Sequence, residues 1–383
     1  MEIKRYVNLR KILKEKSFFL FGPRATGKSF LIKNQFDGTW PVVNLLQSQY
    51  YLPLSQNPST LKELVGASEC AVIDEIQKLP ELLDEIHHLI ENSGKRFLLT
   101  GSSARKLKQR NANMLGGRAS KIDFFSLTWK ELEDAKKFDL DRILRYGGLP
   151  RVYLNEDPDQ ELFDYVDVYL KEEIRMEASV RKLPEFSRFL KIASTSSGQL
   201  LNFANIASDV GGISAQTVKN YFEILDDTLL GFMLPPWRAG RSRKAVATSK
   251  HYFFDCGVAN TFAGIRHLDR NSLLFGDCFE QFIINEVRAF LSYNRKRIDL
   301  AFWRTQHGDE VDLIIGEELA IEIKATARLS PSDGKGLRKI KEEGHWQRRI
   351  LVSQDEVSRV QDGNLHMMHW RSFLRDLWDG RLL

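Results

Sequence analysis

The sequence predicts an α/β protein: a parallel sheet organised on a phosphate-binding loop, then a helical lid, a winged-helix unit and a second α/β domain at the C-terminal end. Three observations predict it. The first is the stretch 18–32, FFLFGPRATGKSFLI, in which an apolar strand-like run, a loop spaced G-x-x-x-x-G-K-S and a helix-forming run follow one another. The second is a series of short apolar runs at 40–45, 70–73, 96–100 and 121–127, separated by polar segments. The third is a helix at 279–287 followed by strand-like runs at 298–304, 311–315 and 319–324, two of which are interrupted by carboxylates.

Residues 1–16 are expected to form a helix outside the first strand, with Val7, Leu9, Ile12 and Leu13 facing the core. In the loop, Gly22 and Gly27 let backbone N–H groups curl around phosphates. Lys28 reaches the β- and γ-phosphates, and the Ser29 hydroxyl is a Mg²⁺ ligand. The expected cofactors are therefore ATP and Mg²⁺, with the nucleotide against Gly22, Pro23, Arg24, Ala25, Thr26, Gly27, Lys28, Ser29 and Phe30. The run 70–73 ends in Asp74 and Glu75, where a P-loop ATPase needs one carboxylate for the Mg²⁺ shell and one to orient the attacking water. The run 96–100 ends in Gly101, Ser102 and Ser103, polar groups placed to touch a γ-phosphate. Beyond it Arg105, Lys106, Lys108 and Arg110 form either a solvated helix face or a nucleic-acid contact.

The segments GPRATGKS, VIDEIQKLPELLDEI, FLLTGSSARKL, LGGRA and RYGGLPRVY resemble those of bacterial and archaeal AAA-type ATPases whose C-terminal half is a domain of unknown function (DUF4143) related to PD-(D/E)xK nucleases. The resemblance spans nearly the whole chain. It implies a parallel sheet with the loop-bearing strand at its centre and Ser102 or Ser103 as a polar sensor. It also implies that Arg118 is an arginine finger acting on a neighbouring subunit, and hence a homo-oligomer, a ring.

Residues 128–178 turn helical, as a lid over the nucleotide would. Gly147, Gly148, Leu149 and Pro150 are similar to the G-x-P motif of signal-transduction ATPases, which implies Pro150 against the adenine and Arg151 as a second phosphate sensor; by residue chemistry alone the stretch is a helix stop and a turn. Helices at 201–210 and 214–227, with Ser214 as N-cap, fit a helix-turn-helix whose second member exposes Gln216, Lys219, Asn220 and Glu223. Strands at 229–234 and 251–254 would form a wing. Its tip carries Trp237 and the basic residues Arg238, Arg241, Arg243 and Lys244, suited to backbone-phosphate contact.

In the last third, strand alternation puts Glu322 and Lys324 on one face and Ile321 and Ile323 in the core, with Asp312 on a neighbouring strand and Glu280 near a helix start. Carboxylates around a point bind Mg²⁺ through oxygen, and a lysine beside them orients water or offsets phosphate charge. Glu280, Asp312, Glu322 and Lys324, in that order, resemble the PD-(D/E)xK nucleases; Val311 stands where that motif has proline. The resemblance implies Glu280, Asp312 and Glu322 as metal ligands, with Glu322 and Lys324 catalytic.

The organisation expected is an ATPase core over 1–127, a lid over 128–182, the winged-helix unit over 183–250 and the nuclease-like domain over 251–383. With 383 residues, 43% hydrophobic and 28% charged, the composition is that of an ordinary globular protein, and a net charge of +5 permits a polyanionic partner. Cys70, Cys256 and Cys278 lack metal-ligand spacing and fit a reducing compartment. No stretch is long enough for a membrane span or built like a signal peptide, so a cytoplasmic protein is expected. The favoured function is Mg²⁺-dependent ATP hydrolysis by an oligomer acting on nucleic acid, DNA above RNA, with a nuclease-like domain that cleaves phosphodiesters. The alternatives are a nucleotide-switched DNA-binding or signalling protein with a non-cleaving domain, and a protein-remodelling ATPase.

Overall fold

The computed structural model describes residues 2–103, 115–169, 183–237, 248–361 and 363–383. Arg105, Lys106, Lys108, Arg110, Arg238, Arg241, Arg243 and Lys244, together with the expected lid helix beyond 169, lie outside the described residues.

The first sheet holds β1 (Ser17–Phe21), β2 (Val42–Asn44), β3 (Cys70–Asp74), β4 (Arg96–Gly101) and β5 (Ala119–Asp123), all parallel, in the order β2-β3-β4-β1-β5. The middle strand is β4, and the loop-bearing β1 lies between β4 and β5, one place off the centre that the resemblance implied. Both β1 and β3 are buried along their whole length, which explains why they are continuous apolar runs rather than alternating ones.

Two boundaries differ from the sequence expectation for a shared reason. The N-terminal helix spans only Leu9–Glu15, capped by Asn8, whose side chain accepts from the Lys11 N–H; the residues before it are extended. Strand β5 stops at Asp123, four residues short of expectation. The carbonyls of Phe125 and Ser126 accept hydrogen bonds from Arg5 instead of from a neighbouring strand, and the Phe125 N–H donates to the Tyr293 hydroxyl. A buried guanidinium from the segment before the helix thus takes up the carbonyls that follow β5.

Helices Leu183–Thr195, Phe203–Val210 and Ala215–Asp227 share a core of Phe186, Phe189, Val218, Tyr221, Phe222 and Leu225. The helix Cys256–Ala263 packs on Leu183–Thr195, so this cluster continues past residue 250 to Phe262. Strands β6 (Gly231–Leu234) and β7 (Lys250–Phe253) pair antiparallel beside it, and the chain leaving β6 runs along the C-terminal sheet through a bridge between Pro236 and Phe302.

That mixed sheet has the order β12-β13-β11-β10-β9-β8, from β8 (Leu300–Arg304), β9 (Glu310–Ile315), β10 (Leu319–Ile323), β11 (Arg348–Ser353), β12 (Arg359–Gln361) and β13 (Leu365–His369). The helices Leu273–Tyr293 and Trp370–Trp378 contact it from one face, and the short helix Lys335–Lys339 also packs on β9, β10 and β11. Covered in this way, β10 is buried at every position, Glu322 included. One hydrophobic cluster runs from Leu9, Phe18 and Phe124 in the N-terminal part to Phe282, Ile321 and Trp378 in the C-terminal part, so the two sheets share a core across the long helix Leu273–Tyr293.

Candidate active sites

The phosphate loop leaves the end of β1 and enters the helix Lys28–Phe36 at Gly27, whose φ of 96° only glycine adopts without strain. Lys28 is buried, and its Nζ donates to the carbonyls of Gly22 at 2.5 Å and Pro23 at 2.9 Å. The Thr26 hydroxyl donates to the Pro23 carbonyl, tying the loop across itself. Arg24 is half-buried, while Ala25, Ser29 and Phe30 face outward. Pro150 starts the helix Pro150–Tyr153 and lies against the loop, its Cγ 3.7 Å from where a Gly27 Cβ would stand.

Around the loop, neighbouring strand ends supply the acids. The Ser29 hydroxyl is 3.4 Å from Asp74 Oδ2, and the Thr100 hydroxyl donates to the other Asp74 oxygen. Glu75 follows in a left-handed conformation with φ 65°, and its carboxylate accepts from Gln77, which also donates to Ser102 Oγ at 3.1 Å. The Ser103 hydroxyl points the other way, to the Asp227 carbonyl at 3.3 Å. Of the two serines, Ser102 is the one gathered with Glu75. The donor set fits a magnesium nucleotide: a serine hydroxyl and an aspartate oxygen at 3.4 Å offer hard oxygen ligands beside a loop of backbone N–H groups.

Arg118 is not brought to this loop. It precedes Ala119, which pairs with Ser17 at the start of β1, so it sits at the opposite end of the strands from the loop and is ion-paired there to Glu91. Arg151 is largely exposed and pairs with Glu161 at 3.0 Å.

A residue that sequence reasoning missed underpins the loop from behind. Buried Arg5 donates to Glu131 Oε1 at 2.9 Å, the Thr26 carbonyl at 2.6 Å, the Phe125 carbonyl at 2.8 Å and the Tyr293 hydroxyl at 3.2 Å, with Phe124 beneath it. One guanidinium thereby joins the phosphate loop, the helix Trp129–Asp134 and the long helix Leu273–Tyr293. Burial disfavours its charge, but Glu131 and Tyr293 more than offset this and hold its pKa above the ordinary value.

The second group surrounds a cavity of about 680 Å³ lined by Lys250, Glu280, Glu310, Asp312, Glu322 and Lys324, among others. Strand and helix bring together the four residues the sequence singled out. Lys324 Nζ lies 2.5 Å from Glu322 and 3.9 Å from Asp312, and Asp312 Oδ2 accepts from the Ile323 N–H at 2.7 Å. Strand β7 adds residues no sequence signal marked. Lys250 Nζ is 2.5 Å from Glu310 and 3.4 Å from Glu280, and the Tyr252 hydroxyl donates to Glu280. The approach is close: a Cβ on Gly336 would meet the Glu310 carbonyl at 1.8 Å.

Acids outnumber bases around this cavity, Glu280, Asp309, Glu310, Asp312, Glu322 and Asp333 against Lys250, Arg304, Lys324 and Lys335. Burial, helped by Asp312 and Glu310 against Lys250 and Tyr252, raises Glu280 to about 7; burial and Asp312 push Glu322 well above the carboxylate range. Glu322 Oε2 is buried without a hydrogen-bond partner. Among the described residues, however, no three His, Cys, Asp or Glu side chains are gathered as a ready metal cage. Glu280, Asp312 and Glu322 are engaged with Lys250, Tyr252, Lys324 and the Ile323 N–H instead of facing one another alone. The donors suit a hard cation in kind, and their present arrangement is that of ion pairs.

Residues 14–133 match the model of an AAA domain, 137–269 a domain of unknown function (DUF8612) and 275–373 a domain of unknown function (DUF4143). Similar proteins include uncharacterized proteins of Mycobacterium tuberculosis and Mycobacterium bovis, each 27% identical over 330 residues, covering 83% of this chain and 72% of theirs. Another, from Methanocaldococcus jannaschii, is 23% identical and covers 64% of this chain and 62% of its own length. Among solved structures, the Walker-type ATPase of Pyrococcus abyssi superposes with a TM-score of 0.45 at 14% identity, over 67% of this chain and 93% of that one. The ORC2 protein of Aeropyrum pernix in its ADP form gives 0.34 at 10% identity, over 73% and 96%. The chain thus carries an AAA-type, P-loop ATPase-like domain followed by a DUF4143 domain, and no described helix is long and apolar enough to cross a membrane.

Proposed function

We propose that this protein hydrolyses ATP with Mg²⁺ as a homo-oligomer acting on nucleic acid, DNA in preference to RNA, and that its C-terminal domain is a PD-(D/E)xK nuclease-like module. The observation that carries the first part is the convergence of Lys28, Ser29, Asp74, Glu75 and Ser102 at the loop ends of β1, β3 and β4. Lys28, now on the carbonyls of its own loop, turns to the β- and γ-phosphates. Ser29 and Asp74 hold the magnesium, which supplies charge neutralisation on the phosphates. Glu75, released from Gln77, orients the attacking water, and Ser102 reads the γ-phosphate. Arg118 acts in trans: at the far end of the strands from its own loop it serves a neighbour's loop, and a ring of identical subunits satisfies every site. The protein functions in the cytoplasm, where ATP and nucleic acid are both at hand.

At the second site Lys324 and Lys250 flank the position of a phosphodiester, and Glu280, Asp312 and Glu322 are the carboxylates that hold a divalent cation there. A second reading has its own support: both lysines are already spent on ion pairs, which suits a module that does not cut a phosphodiester. The basic wing residues Arg238, Arg241, Arg243 and Lys244 deliver the strand to either kind of site.

The test is ATP turnover and polymer cleavage measured together on single-stranded, duplex, forked and four-way-junction DNA and on RNA. Lys28→Ala and Glu75→Gln are expected to abolish turnover, and unchanged turnover in both overturns the ATPase reading. Asp312→Ala is expected to remove Mg²⁺-dependent cleavage alone; a wild type that cuts nothing with Mg²⁺ or Mn²⁺ selects the non-cleaving reading.

A further inference from the structure

A second charged cavity lies away from both sites. It holds about 540 Å³ between the outer side of β5 and the C-terminal end of the long helix, and its lining includes Lys121, Arg288, Arg295, Lys296 and Arg297 against one acid, Asp123. The sheet order leaves β5 as an edge strand, so the groove follows a sheet border rather than a packed face.

Arg288 forms its floor. The guanidinium is stacked 3.4 Å over the Phe232 ring, with Phe125 at 5.2 Å, and Asn285 Oδ1 accepts its hydrogen bond at 3.2 Å. Among the described residues no carboxylate comes within ion-pair distance of it, although Asp123 and Asp226 act on it at longer range. Burial lowers its pKa to about 10, so it stays cationic at neutral pH while lacking a counter-ion in contact. An arginine clamped by stacking, with N–H groups left over, is preorganised for a phosphate.

The rim repeats the theme. The long helix ends at Tyr293, and Arg295 takes a left-handed φ of 56° where glycine is usual, with the Lys296 N–H bonded to the Leu291 carbonyl at 2.9 Å. That turn sets Arg295, Lys296 and Arg297 along the groove. Arg295 is paired to Glu15 and Lys121 to Asp123, while Lys296 and Arg297 are exposed and have no ion pair among the described residues.

We propose that this groove binds the sugar-phosphate backbone of a nucleic-acid strand. The inference rests on the reading of nucleic acid as the polymer acted on, and adds a surface at the junction of the ATPase sheet and the C-terminal domain. The rings beside Arg288 lie against its guanidinium rather than open to bases, so the groove reads charge and not sequence.

The experiment uses the full chain and a fluorescein-labelled oligodeoxynucleotide, single-stranded and duplex, with an RNA counterpart, followed by anisotropy across a salt series. The double variant Lys296→Glu/Arg297→Glu changes only exposed positions. Lys62→Glu/Arg375→Glu is the control, with the same change in charge at exposed sites elsewhere. The groove predicts a loss of affinity of about 10-fold or more for the first pair, with the salt slope reduced by about 2, and little change for the control. If wild type binds and the two pairs weaken it equally, the groove is overturned and the nucleic-acid reading stands. If wild type binds none of the probes, both fall.

Discussion

The phosphate loop and the C-terminal carboxylate cluster are both gathered at strand ends and lined by charged side chains, but they are held together in opposite ways. The loop closes on itself: Lys28 donates to its own loop's carbonyls, Thr26 to Pro23, and Gln77 bridges Glu75 and Ser102. The loop's backbone N–H groups and its lysine suit an anion. The cluster is crowded with acids, and burial raises Glu280 to about 7 and lifts Glu322 as well. What it leaves unsatisfied is one buried carboxylate oxygen, Glu322 Oε2. The loop is thus held by bonds to its own backbone and the cluster by buried ion pairs between strands and helix.

The largest effect expected is at the loop. Lys28→Ala is expected to lower ATP turnover by about a hundredfold or more, as the loss of a phosphate-stabilising charge does, while moving stability by only about 1 kcal/mol, the scale of its bonds to the Gly22 and Pro23 carbonyls. Phosphate release and urea unfolding measure the two. Lys250→Met is expected to do the reverse, costing about 3–5 kcal/mol in urea unfolding with ATP turnover retained, since Glu280 and Glu310 lose their buried counter-charge. Equal stability losses in the two variants would erase the contrast.

Arg5→Ala sharpens it by cutting the link between the regions. The ion pair with Glu131 is buried on both sides, and its loss is expected to cost about 3–5 kcal/mol. Arg5→Lys keeps the charge but not the fan of hydrogen bonds. It is expected to raise KM for ATP more than it lowers kcat, through the loosened Thr26 carbonyl. An unchanged KM would confine Arg5 to a structural role.

How much of this was legible depends on chain separation. Gly27, Lys28 and Ser29 are adjacent, Asp74 and Glu75 end a strand, and Glu322 and Lys324 share a strand face, so local pattern exposed them. Arg5 meets Glu131 and Tyr293, and Lys250 meets Glu280 and Glu310, across long separations with no periodicity to announce them. The same blindness extended the first helix and β5 too far, because the partners that end them are distant. Glu322 was expected to share a face with Lys324, and the burial of that face under Lys335–Lys339 comes from an element with no local signal in β10.

A smaller effect concerns the junction between the regions. Burial pushes Glu286 up to about 8, against the Trp129 N–H and Trp378 Nε1 that donate to it and with Glu131 adding to the rise. Its folded pKa lies above the unfolded value near 4.5, so the folded state holds the extra proton. Its contribution is whole below about 4.5 and is lost as pH rises through about 8, a change on the order of a few kcal/mol. Glu286→Gln is expected to flatten that stretch of the stability–pH curve, and an unaltered slope would contradict it.

The central claim is that the loop is an ATP-hydrolysing site distinct in its chemistry from the cluster. The most direct measurement is ATP turnover and Mg²⁺-dependent cleavage side by side for wild type, Glu75→Gln and Asp312→Ala. The account predicts that Glu75→Gln loses turnover and that Asp312→Ala keeps it, losing only whatever cleavage the wild type shows. Turnover that survives Glu75→Gln, or that disappears with Asp312→Ala in a folded protein, would contradict it.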